Sequence, residues 1–272
     1  MTTKTQTRPG RQSRQQVRQQ AMTEAVMAEG AVRIEDLAER FEISIMTVHR
    51  DLDELESRGL LRKERGIATA TSTALVESSD VYRSGQNLSA KQGIAREALK
   101  FIDHGQAIIL DDSTTTLQLV PYLREKTPLT VITNTLTIME ELKGTKGIDL
   151  VCLGGQFHDW CSAFLGRMTQ DSLKTLRTDL CIMSTSAITD DIAFHQNHEI
   201  VDVKRTMFES AQKRILLVDH SKFDKRALYM MLPLSRFDAV IVDEATDQRD
   251  IDRLRENGTN VVIASHTSQA LS

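Results

Sequence analysis

Apolar residues recur at helical spacing along the first sixty positions of the chain. The spacing predicts three helices, over residues 13–28, 32–41 and 44–58. Gly30 follows the first helix and ends it, because glycine readily adopts the backbone conformation that closes a helix. Ser44 is a good N-cap for the third helix, since its hydroxyl can accept a bond from a free backbone N–H.

The third predicted helix has one apolar stripe and one polar face. Val48, Leu52 and Leu55 lie within about 60° of one another at roughly 100° per residue, which predicts a buried stripe. A helix that reads DNA contacts the bases with its first residues. The candidates for this contact are Ser44, Met46, Thr47, His49 and Arg50. Most carboxylates of the helix come later, but Asp53 shares the exposed face with Arg50 and is placed to pair with it.

Residues 60–69, LLRKERGIAT, have the pattern of a short hairpin. Gly66 provides the turn, and Lys63 and Arg65 are the natural contacts for DNA phosphates. Three helices and a hairpin make a winged helix-turn-helix. The alternative is a small helical bundle that contacts other proteins, with residues 44–58 merely charged on their solvent face.

From residue 91 onward, short apolar strands alternate with amphipathic helices. This alternation predicts an α/β domain with a mainly parallel sheet. Residues 72–90 are rich in serine and threonine and lack a clear period, so they are expected to be a linker. The predicted organisation is a DNA-binding domain over 1–71, with residues 1–12 disordered, then the linker, then a ligand-binding domain over 91–272.

The ends of the predicted strands carry polar residues and glycines. Ligands of parallel sheets bind beyond the carboxyl ends of the strands. The segment DDSTTT (111–116) places hydroxyls and backbone N–H groups at the start of a helix, where an anion such as phosphate is favoured. The phosphate loop of nucleotide-binding enzymes and the glycine pattern of dinucleotide binders are both absent, so no cofactor is expected. The alternative is that these hydroxyls only cap the helix.

Other strand ends and one helix add to this pattern. Asn134 follows the next strand, Gly154 and Gly155 follow another, and Lys222 follows a later one, while Lys204 lies on the helix over residues 198–211. Together they predict a pocket for a phosphorylated small molecule. Taken singly, each lysine is more readily explained as a solvent-facing side chain than as a ligand contact.

Composition restricts the class of protein. With 272 residues and 40% hydrophobic content, the chain can build a small and a larger domain. Its net charge of -4 means that any basic DNA-binding surface must be local. Three cysteines without a framework spacing indicate reduced thiols. No apolar run approaches the roughly 20 residues of a membrane helix, and no signal peptide is present, so a cytoplasmic protein is expected.

The helix and hairpin pattern resembles the signature of the DeoR family of bacterial transcriptional regulators. The matching positions are Ser44, Thr47, Val48, Arg50, Asp51, Leu52, Leu55, Gly59, Leu61 and Arg62. His49 departs from the family pattern, which usually has a first arginine there, and ERGIA (64–68) stands where the family commonly has His-Gly-Gly-Ala. The first departure bears on operator preference and the second on the geometry of the hairpin.

The resemblance extends over the larger domain, through LDDSTTT, VITNTLTI, LGGQF, EIVDVKRTMFESA and LLVDHSKF. The family's sensor domain is related in fold to ribose-5-phosphate isomerase and glucosamine-6-phosphate deaminase, and its implied ligand is a phosphorylated sugar. The resemblance implies a phosphate loop of Asp111, Asp112, Ser113, Thr114, Thr115 and Thr116. It further implies that Asn134, Gly154 and Gly155 line the floor and that Lys204 and Lys222 neutralise the anion. Ser184 and Ala187 replace two glycines of the family pattern. Their side chains are expected to crowd the site, so the ligand is expected to differ from the family norm.

An enzyme and a metal protein are the other possibilities. The related isomerases have carboxylates directly after the strand equivalent to 179–184, where this chain has none before Asp190. Proton transfer needs such groups, so binding without turnover is favoured. His158, Cys161, His195 and His198 match no known zinc spacing, and no metal is expected.

The sequence thus predicts a repressor of a carbohydrate catabolic operon, controlled by a phosphorylated sugar. Its expected partners are operator DNA, the sugar phosphate and further copies of itself, in a dimer or tetramer built through the α/β domain. The alternative is a sugar-phosphate isomerase or deaminase-like enzyme with an appended DNA-binding domain.

Overall fold

The computed structural model describes residues 14–57, 61–70 and 80–265 of the chain. They form two compact units, which divide between residues 72 and 73. The expected disorder of residues 1–12 concerns positions outside the described residues. Each described helix is too short or too polar to cross a lipid bilayer.

The first unit is a set of helices closed by a small antiparallel sheet. Its described elements are α1 (Arg14–Glu29), β1 (Ala31–Arg33), α2 (Ile34–Arg40), α3 (Ile45–Ser57), β2 (Leu61–Glu64) and β3 (Ile67–Ala70). The strand order is β1-β3-β2. Val48, Leu52 and Leu55 of α3 are buried in the core of the unit, which confirms the predicted apolar stripe. The fold is the predicted winged helix-turn-helix.

The second predicted helix begins later than expected. Residues 32 and 33 belong to strand β1, and α2 begins at Ile34. Val32 lies opposite Ala68 of β3, and both side chains are buried. Strand β1 fills the free edge of the hairpin, a long-range pairing that helical periodicity does not report.

The second unit is an α/β domain. Its described helices are α4 (Asp80–Gly85), α5 (Leu88–Ala98), α6 (Leu136–Leu142), α7 (Arg167–Lys174), α8 (His198–Ser210) and α9 (Gln248–Glu256). Its described strands are β4 (Ala107–Leu110), β5 (Leu129–Thr133), β6 (Ile148–Cys152), β7 (Gln156–His158), β8 (Ala163–Leu165), β9 (Thr178–Ser184), β10 (Ala187–Thr189), β11 (Ile192–His195), β12 (Ala211–Val218), β13 (Tyr229–Pro233), β14 (Ala239–Asp243) and β15 (Val261–Ala264). Short 3₁₀ helices span Leu99–Phe101, Thr116–Lys126, His220–Lys222 and Leu234–Arg236.

Seven strands of this unit form one parallel sheet in the order β15-β14-β12-β9-β4-β5-β6. Apolar residues of α5, α6 and the 3₁₀ helix Thr116–Lys126 pack on one face, and those of α7, α8 and α9 pack on the other. A parallel sheet covered on both faces has strands of continuous apolar residues, as the sequence predicted. The carboxyl ends of β4, β5, β6, β9 and β12 meet along one edge of this sheet.

Two parts of the second unit differ from expectation. Residues 80–85 and 88–90 are helical, although both segments lie in the predicted linker. Asn87, directly before α5, bonds to Asp219, which is 132 positions away in the chain, so a tertiary contact defines where this helix begins. The hairpin β7-β8 and the antiparallel sheet β10-β11-β13 were also not predicted, because their strands have only three to five residues.

Candidate functional site

Asp111 organises the loop at the carboxyl end of β4. Its Oδ1 accepts bonds from the Ser113 backbone N–H (3.1 Å) and the Thr116 hydroxyl (2.7 Å). Its Oδ2 accepts from the Ser184 backbone N–H at 2.8 Å and from the ammonium group of Lys204. Asp111 has no solvent exposure. The carboxylate therefore joins the ends of β4 and β9 to helix α8.

Lys204 is buried between two carboxylates. Its Nζ contacts Asp111 and lies 3.2 Å from Asp112 Oδ1 and 3.3 Å from the carbonyl of Ser184. Burial disfavours the ionised forms, but the mutual attraction outweighs it: the pKa of Lys204 is raised and that of Asp111 is lowered. The charge of Lys204 is thus compensated by the protein itself. Two carboxylates share one ammonium, which leaves one negative charge at this strand end.

The hydroxyls of the loop have different environments. Ser113 Oγ lies 2.6 Å from Thr116 Oγ1 and accepts the Thr116 backbone N–H at 3.1 Å, as a capping residue does. Thr115 is the N-cap residue of the 3₁₀ helix and is buried. Thr114 Oγ1, in contrast, accepts a bond of 3.0 Å from Lys91. The Ser113 hydroxyl thus caps the helix, while the Thr114 hydroxyl contacts a lysine.

A small cleft with a volume of about 30 Å³ lies beside this loop. Asp112, Ser113 and Thr114 form one side, and Thr135 and Thr137 at the start of α6 are also part of its lining. The cleft thus lies at the carboxyl ends of β4 and β5, where parallel sheets place their ligands. Its lining is rich in hydroxyls.

Lys91 is the main residue of the site that the sequence prediction missed. It lies on the apolar face of α5 and is 3% exposed, and it donates to the Arg83 carbonyl and the Thr114 hydroxyl. Burial, then the nearby positive charges of Lys222, Arg83 and Lys225, lower the pKa of Lys91 to about 7, against the opposing effect of Asp219. A lysine among the apolar positions of a helix was the signal available in the sequence.

Lys222 lies beside the same group of charges. Its Nζ is 3.9 Å from Oδ2 of the buried Asp219. Asp219 Oδ1 accepts from the Asn87 side chain at 2.9 Å and from the Ser221 hydroxyl at 2.5 Å. Although burial opposes ionisation, Lys222 and these bonds lower the pKa of Asp219. We call Arg83, Lys91, Lys222 and Lys225 the cation cluster; Asp219 is the carboxylate whose charge opposes theirs at Lys91.

Asn134 and the two glycines occupy neighbouring strand ends. Asn134 is fully buried, and its Nδ2 donates to the Phe164 carbonyl at 3.0 Å, whereas no described residue donates to its Oδ1. A Cβ atom on Gly155 would lie 2.2 Å from Thr169 Oγ1, so this glycine permits a close internal contact. Gly154 is exposed, and its carbonyl accepts from Thr169 at 2.8 Å.

The predicted DNA-reading residues lie at the start of α3. Ser44 caps the helix, since its Oγ accepts the Thr47 backbone N–H at 3.2 Å. Met46 is 77% exposed, Ser44 and Arg50 are exposed, and Thr47 and His49 are half-buried. These side chains are accessible to a ligand as large as DNA.

Two acidic residues of α3 hold α1 in place. Asp51 is buried and pairs with Arg18 at 2.6 Å. The Gln19 amide donates to Asp51 Oδ1 at 3.2 Å and to Glu54 Oε2 at 2.8 Å. Glu54 also accepts from Gln15 at 2.9 Å. The carboxylates of Asp51 and Glu54 therefore make their bonds to side chains of the same unit.

The other two acidic residues of α3 hold the hairpin. Asp53 pairs with Lys63, so the partner of Asp53 is Lys63 and not Arg50 as the helical spacing had suggested. Glu56 accepts the Lys63 backbone N–H at 3.0 Å. Lys63 thus has an internal partner, while Arg65 lies exposed at the tip of the hairpin, where Arg65 and Gly66 both have positive φ.

The histidines and cysteines considered for metal binding have other surroundings. His158 lies 3.8 Å from Glu199, and Cys161 and His195 are buried. Within residues 14–57, 61–70 and 80–265, no group of three or more potential ligands is positioned to hold a metal ion. Trp160 packs against the core of the second unit.

Comparison with known proteins finds two family models that match this chain. Residues 18–74 match the family model of the DeoR-like helix-turn-helix domain, and residues 86–244 match that of the DeoR C terminal sensor domain. The second match alone spans more than half of the chain.

Curated relatives align over most of both chains. The lactose phosphotransferase system repressor of Lactococcus lactis subsp. lactis is 30% identical over 85% of this chain and 92% of its own. The L-fucose operon activator of Haemophilus influenzae is 29% identical over 84% and 92%. The glycerol-3-phosphate regulon repressor of Escherichia coli is 29% identical over 85% and 91%. Among solved structures, ribose 5-phosphate isomerase A from Methanocaldococcus jannaschii matches 51% of this chain and 55% of its own, with 17% identity and a TM-score of 0.38.

Proposed function

The chain belongs to the DeoR family of transcriptional regulators, and on that premise we propose that it represses a carbohydrate operon and is controlled by a phosphorylated sugar bound in its second unit. The observation that supports a phosphorylated ligand is the position of the cation cluster beside the hydroxyl-lined cleft. The regulator class follows from the family itself.

The DNA-binding part of the proposal rests on α3 and the hairpin. All four carboxylates of α3 have partners inside the unit, which leaves the first turns of the helix with accessible polar and basic side chains. Such side chains can contact base edges, while Arg65 at the hairpin tip is placed for a phosphate. A two-fold operator would require an even oligomer, so we propose a dimer or tetramer.

The ligand part rests on Lys91 and Thr114. An ammonium buried beside a hydroxyl, with further lysines close by, favours an anion because a negative charge relieves the repulsion among the cations. The relatives include regulators named for the lactose phosphotransferase system and for glycerol 3-phosphate, and both names refer to phosphorylated compounds or their transport. Repression is proposed because two of the three relatives compared are repressors.

We further propose that the bound ligand is not converted. Thr185 and Ser186 follow β9 at the position where isomerase chemistry needs carboxylates, and Asp111 and Asp112 are tied to Lys204. Incubation of the purified protein with pentose and hexose phosphates, followed by NMR, tests this point. Turnover that is lost in a Lys204→Ala variant would instead favour an enzyme.

The central experiment measures DNA binding and ligand response together. Fluorescence anisotropy with DNA from upstream of the protein's own operon gives the operator affinity, and a panel of sugar phosphates tests for release. Thr114→Glu places a carboxylate next to Lys91, so it is expected to abolish the response to sugar phosphates while the operator affinity persists. Thr189→Glu, at an exposed position of β10, is the control.

Three results would contradict parts of the proposal. If no sugar phosphate alters the operator affinity, the proposed control by a phosphorylated sugar is wrong. If the Thr114→Glu variant still responds to a sugar phosphate, the ligand binds at another site. Salt-independent retention of DNA would contradict direct phosphate contacts.

A further inference from the structure

Asp112 presents a hydrogen-bond acceptor to the cleft. Its side chain is 4% exposed and lines the cleft together with Thr114 and Thr135. Asp112 Oδ1 is engaged by Lys204 at 3.2 Å, whereas no described residue donates to Oδ2. A carboxylate offers several acceptor positions, so one oxygen remains available to a ligand.

Asn134 presents a second acceptor close to this strand end. The residue is fully buried at the end of β5 and directly precedes Thr135, which lines the cleft. Its Nδ2 is bonded to the Phe164 carbonyl, and this bond orients the amide so that Oδ1 lacks a donor within the described part of the chain. Buried acceptors are rarely left without a donor, so this atom points to a missing O–H or N–H group.

The charges around the cleft are unequally distributed. At the carboxyl end of β4, Asp111 and Asp112 share the single ammonium of Lys204, which leaves a negative charge. On the other side of Thr114, Lys222, Arg83 and Lys225 place further positive charges close to Lys91, with Asp219 as the opposing charge. A phosphate is therefore repelled by the first group and attracted by the second.

We propose that Asp112, with Asn134, reads the unphosphorylated end of the ligand and selects compounds that present hydroxyl or amine donors there. The proposal rests on the proposed function, because it assumes that the phosphate occupies the cation cluster. The ligand class is then a phosphate ester with donor groups near its other end. Asp112 acts as the specificity residue, and Lys204 acts through it by fixing the position of its carboxylate.

The test compares three phosphate esters by isothermal titration calorimetry. Ethyl phosphate has no donor group on its carbon chain, glycerol 3-phosphate has two hydroxyls, and glucosamine 6-phosphate adds an amine. The wild-type protein is expected to prefer the two donor-bearing esters over ethyl phosphate by about tenfold or more, because hydrogen bonds to a charged acceptor are strong.

The variant Asp112→Asn should reduce that preference by about tenfold. Its affinity for ethyl phosphate should not fall, since a negative charge near the anion has been removed. Asp149→Asn, at an exposed position of β6, is the matched control and should keep the wild-type preference. Asp112→Ser, which removes the carboxylate with a smaller side chain, replaces the asparagine variant if that variant fails to fold.

The outcomes distinguish a failure of the role of Asp112 from a failure of the sugar-phosphate function. Binding of all three esters with equal affinity to the wild-type protein, or an Asp112→Asn variant that keeps the preference, overturns the role of Asp112 and leaves the sugar-phosphate function standing. If none of the esters binds, both proposals fail. A larger loss for glucosamine 6-phosphate than for glycerol 3-phosphate identifies the donor as an amine, and equal losses identify hydroxyls.

Discussion

The ammonium of Lys204 on α8 is bonded to the carboxylate of Asp111 at the end of β4, and the two side chains are only 3% and 0% exposed. The pair joins a helix on one face of the sheet to the loop that lines the cleft. A buried pair of this kind costs much desolvation, but removing one partner costs more, because an uncompensated charge remains. The pair thus defines the shape of the loop.

Replacing Lys204 should therefore destabilise the second unit. Lys204→Met is expected to lower the free energy of unfolding by roughly 3–5 kcal/mol at neutral pH, because Asp111 and Asp112 lose their counter-charge. Since the folded protein lowers the pKa of Asp111, that stabilisation is present above about pH 4 and is lost as pH falls through the folded value. The difference between variant and wild type should shrink toward acidic pH, as measured by denaturant unfolding. Lys174→Met, at an exposed position, is the control; an equal loss in both variants would contradict the prediction.

Gly155 and Gly154 form a matched pair of glycines. A Cβ atom at Gly155 would lie 2.6 Å from the Leu165 carbonyl and even closer to Thr169, whereas no atom lies within 4 Å of the corresponding point on Gly154. Gly155→Ala should destabilise the protein by roughly 1–3 kcal/mol through overpacking. Gly154→Ala should change the free energy of unfolding by less than about 0.5 kcal/mol, as expected at open sites. Thermal unfolding of the two variants checks the contrast, and similar midpoints would refute it.

Ligand affinity should depend on pH through Lys91. The pKa of Lys91 is lowered to about 7, and a bound phosphate favours the protonated form. Ligand binding should therefore take up a proton, and affinity should fall by about tenfold per pH unit as pH rises above 7. Calorimetry with glycerol 3-phosphate between about pH 7 and 9 measures the slope. Lys91→Met should bind weakly and without this slope, and Lys100→Met, which is exposed, should retain it. A flat wild-type profile would rule out Lys91 as the titrating group.

Operator recognition should require Arg50. It is exposed on α3 near the helix start, where side chains reach base edges. Arg50→Ala should cost roughly 1–3 kcal/mol of specific affinity if its guanidinium contacts a guanine. Anisotropy titrations with operator and unrelated DNA measure this loss, and Arg167→Ala, on α7, is the control. An unchanged ratio between the two DNAs would exclude Arg50 from base reading.

Asp51 should act on the stability of the first unit. It bonds to Arg18 and Gln19 of α1 while it is itself buried in α3. Asp51→Ala should lower the stability of this unit by roughly 1–3 kcal/mol, since buried donors lose their acceptor. Hydrogen exchange of the α1 and α3 amides reports the loss directly, with ligand binding in the second unit unaffected. Glu39→Ala is the exposed control, and protection equal to wild type would contradict the assignment.

Local patterns were enough to predict the helices and the hairpin of the first unit and the class of the second. The apolar stripe of α3, the cap at Ser44 and the turn at Gly66 depend on residues a few positions apart, so they are visible in the sequence. Strand β1 was missed because its pairing with β3 joins residues 34 to 38 positions apart, and the pairing of β13 with β11 is similarly distant. The adjacent strands β10 and β11 were missed because they have only three and four residues.

The sequence by itself determined the winged helix, the parallel sheet and the polar strand ends that border the cleft. Only the tertiary structure decided which charges face one another there. It paired Lys204 with Asp111 and Asp112, and it brought Lys91 on α5 to Thr114, which is 23 positions later in the chain. The physical reason is that a charge is specified by its burial and its partners, and both arise from segments that are distant in the chain.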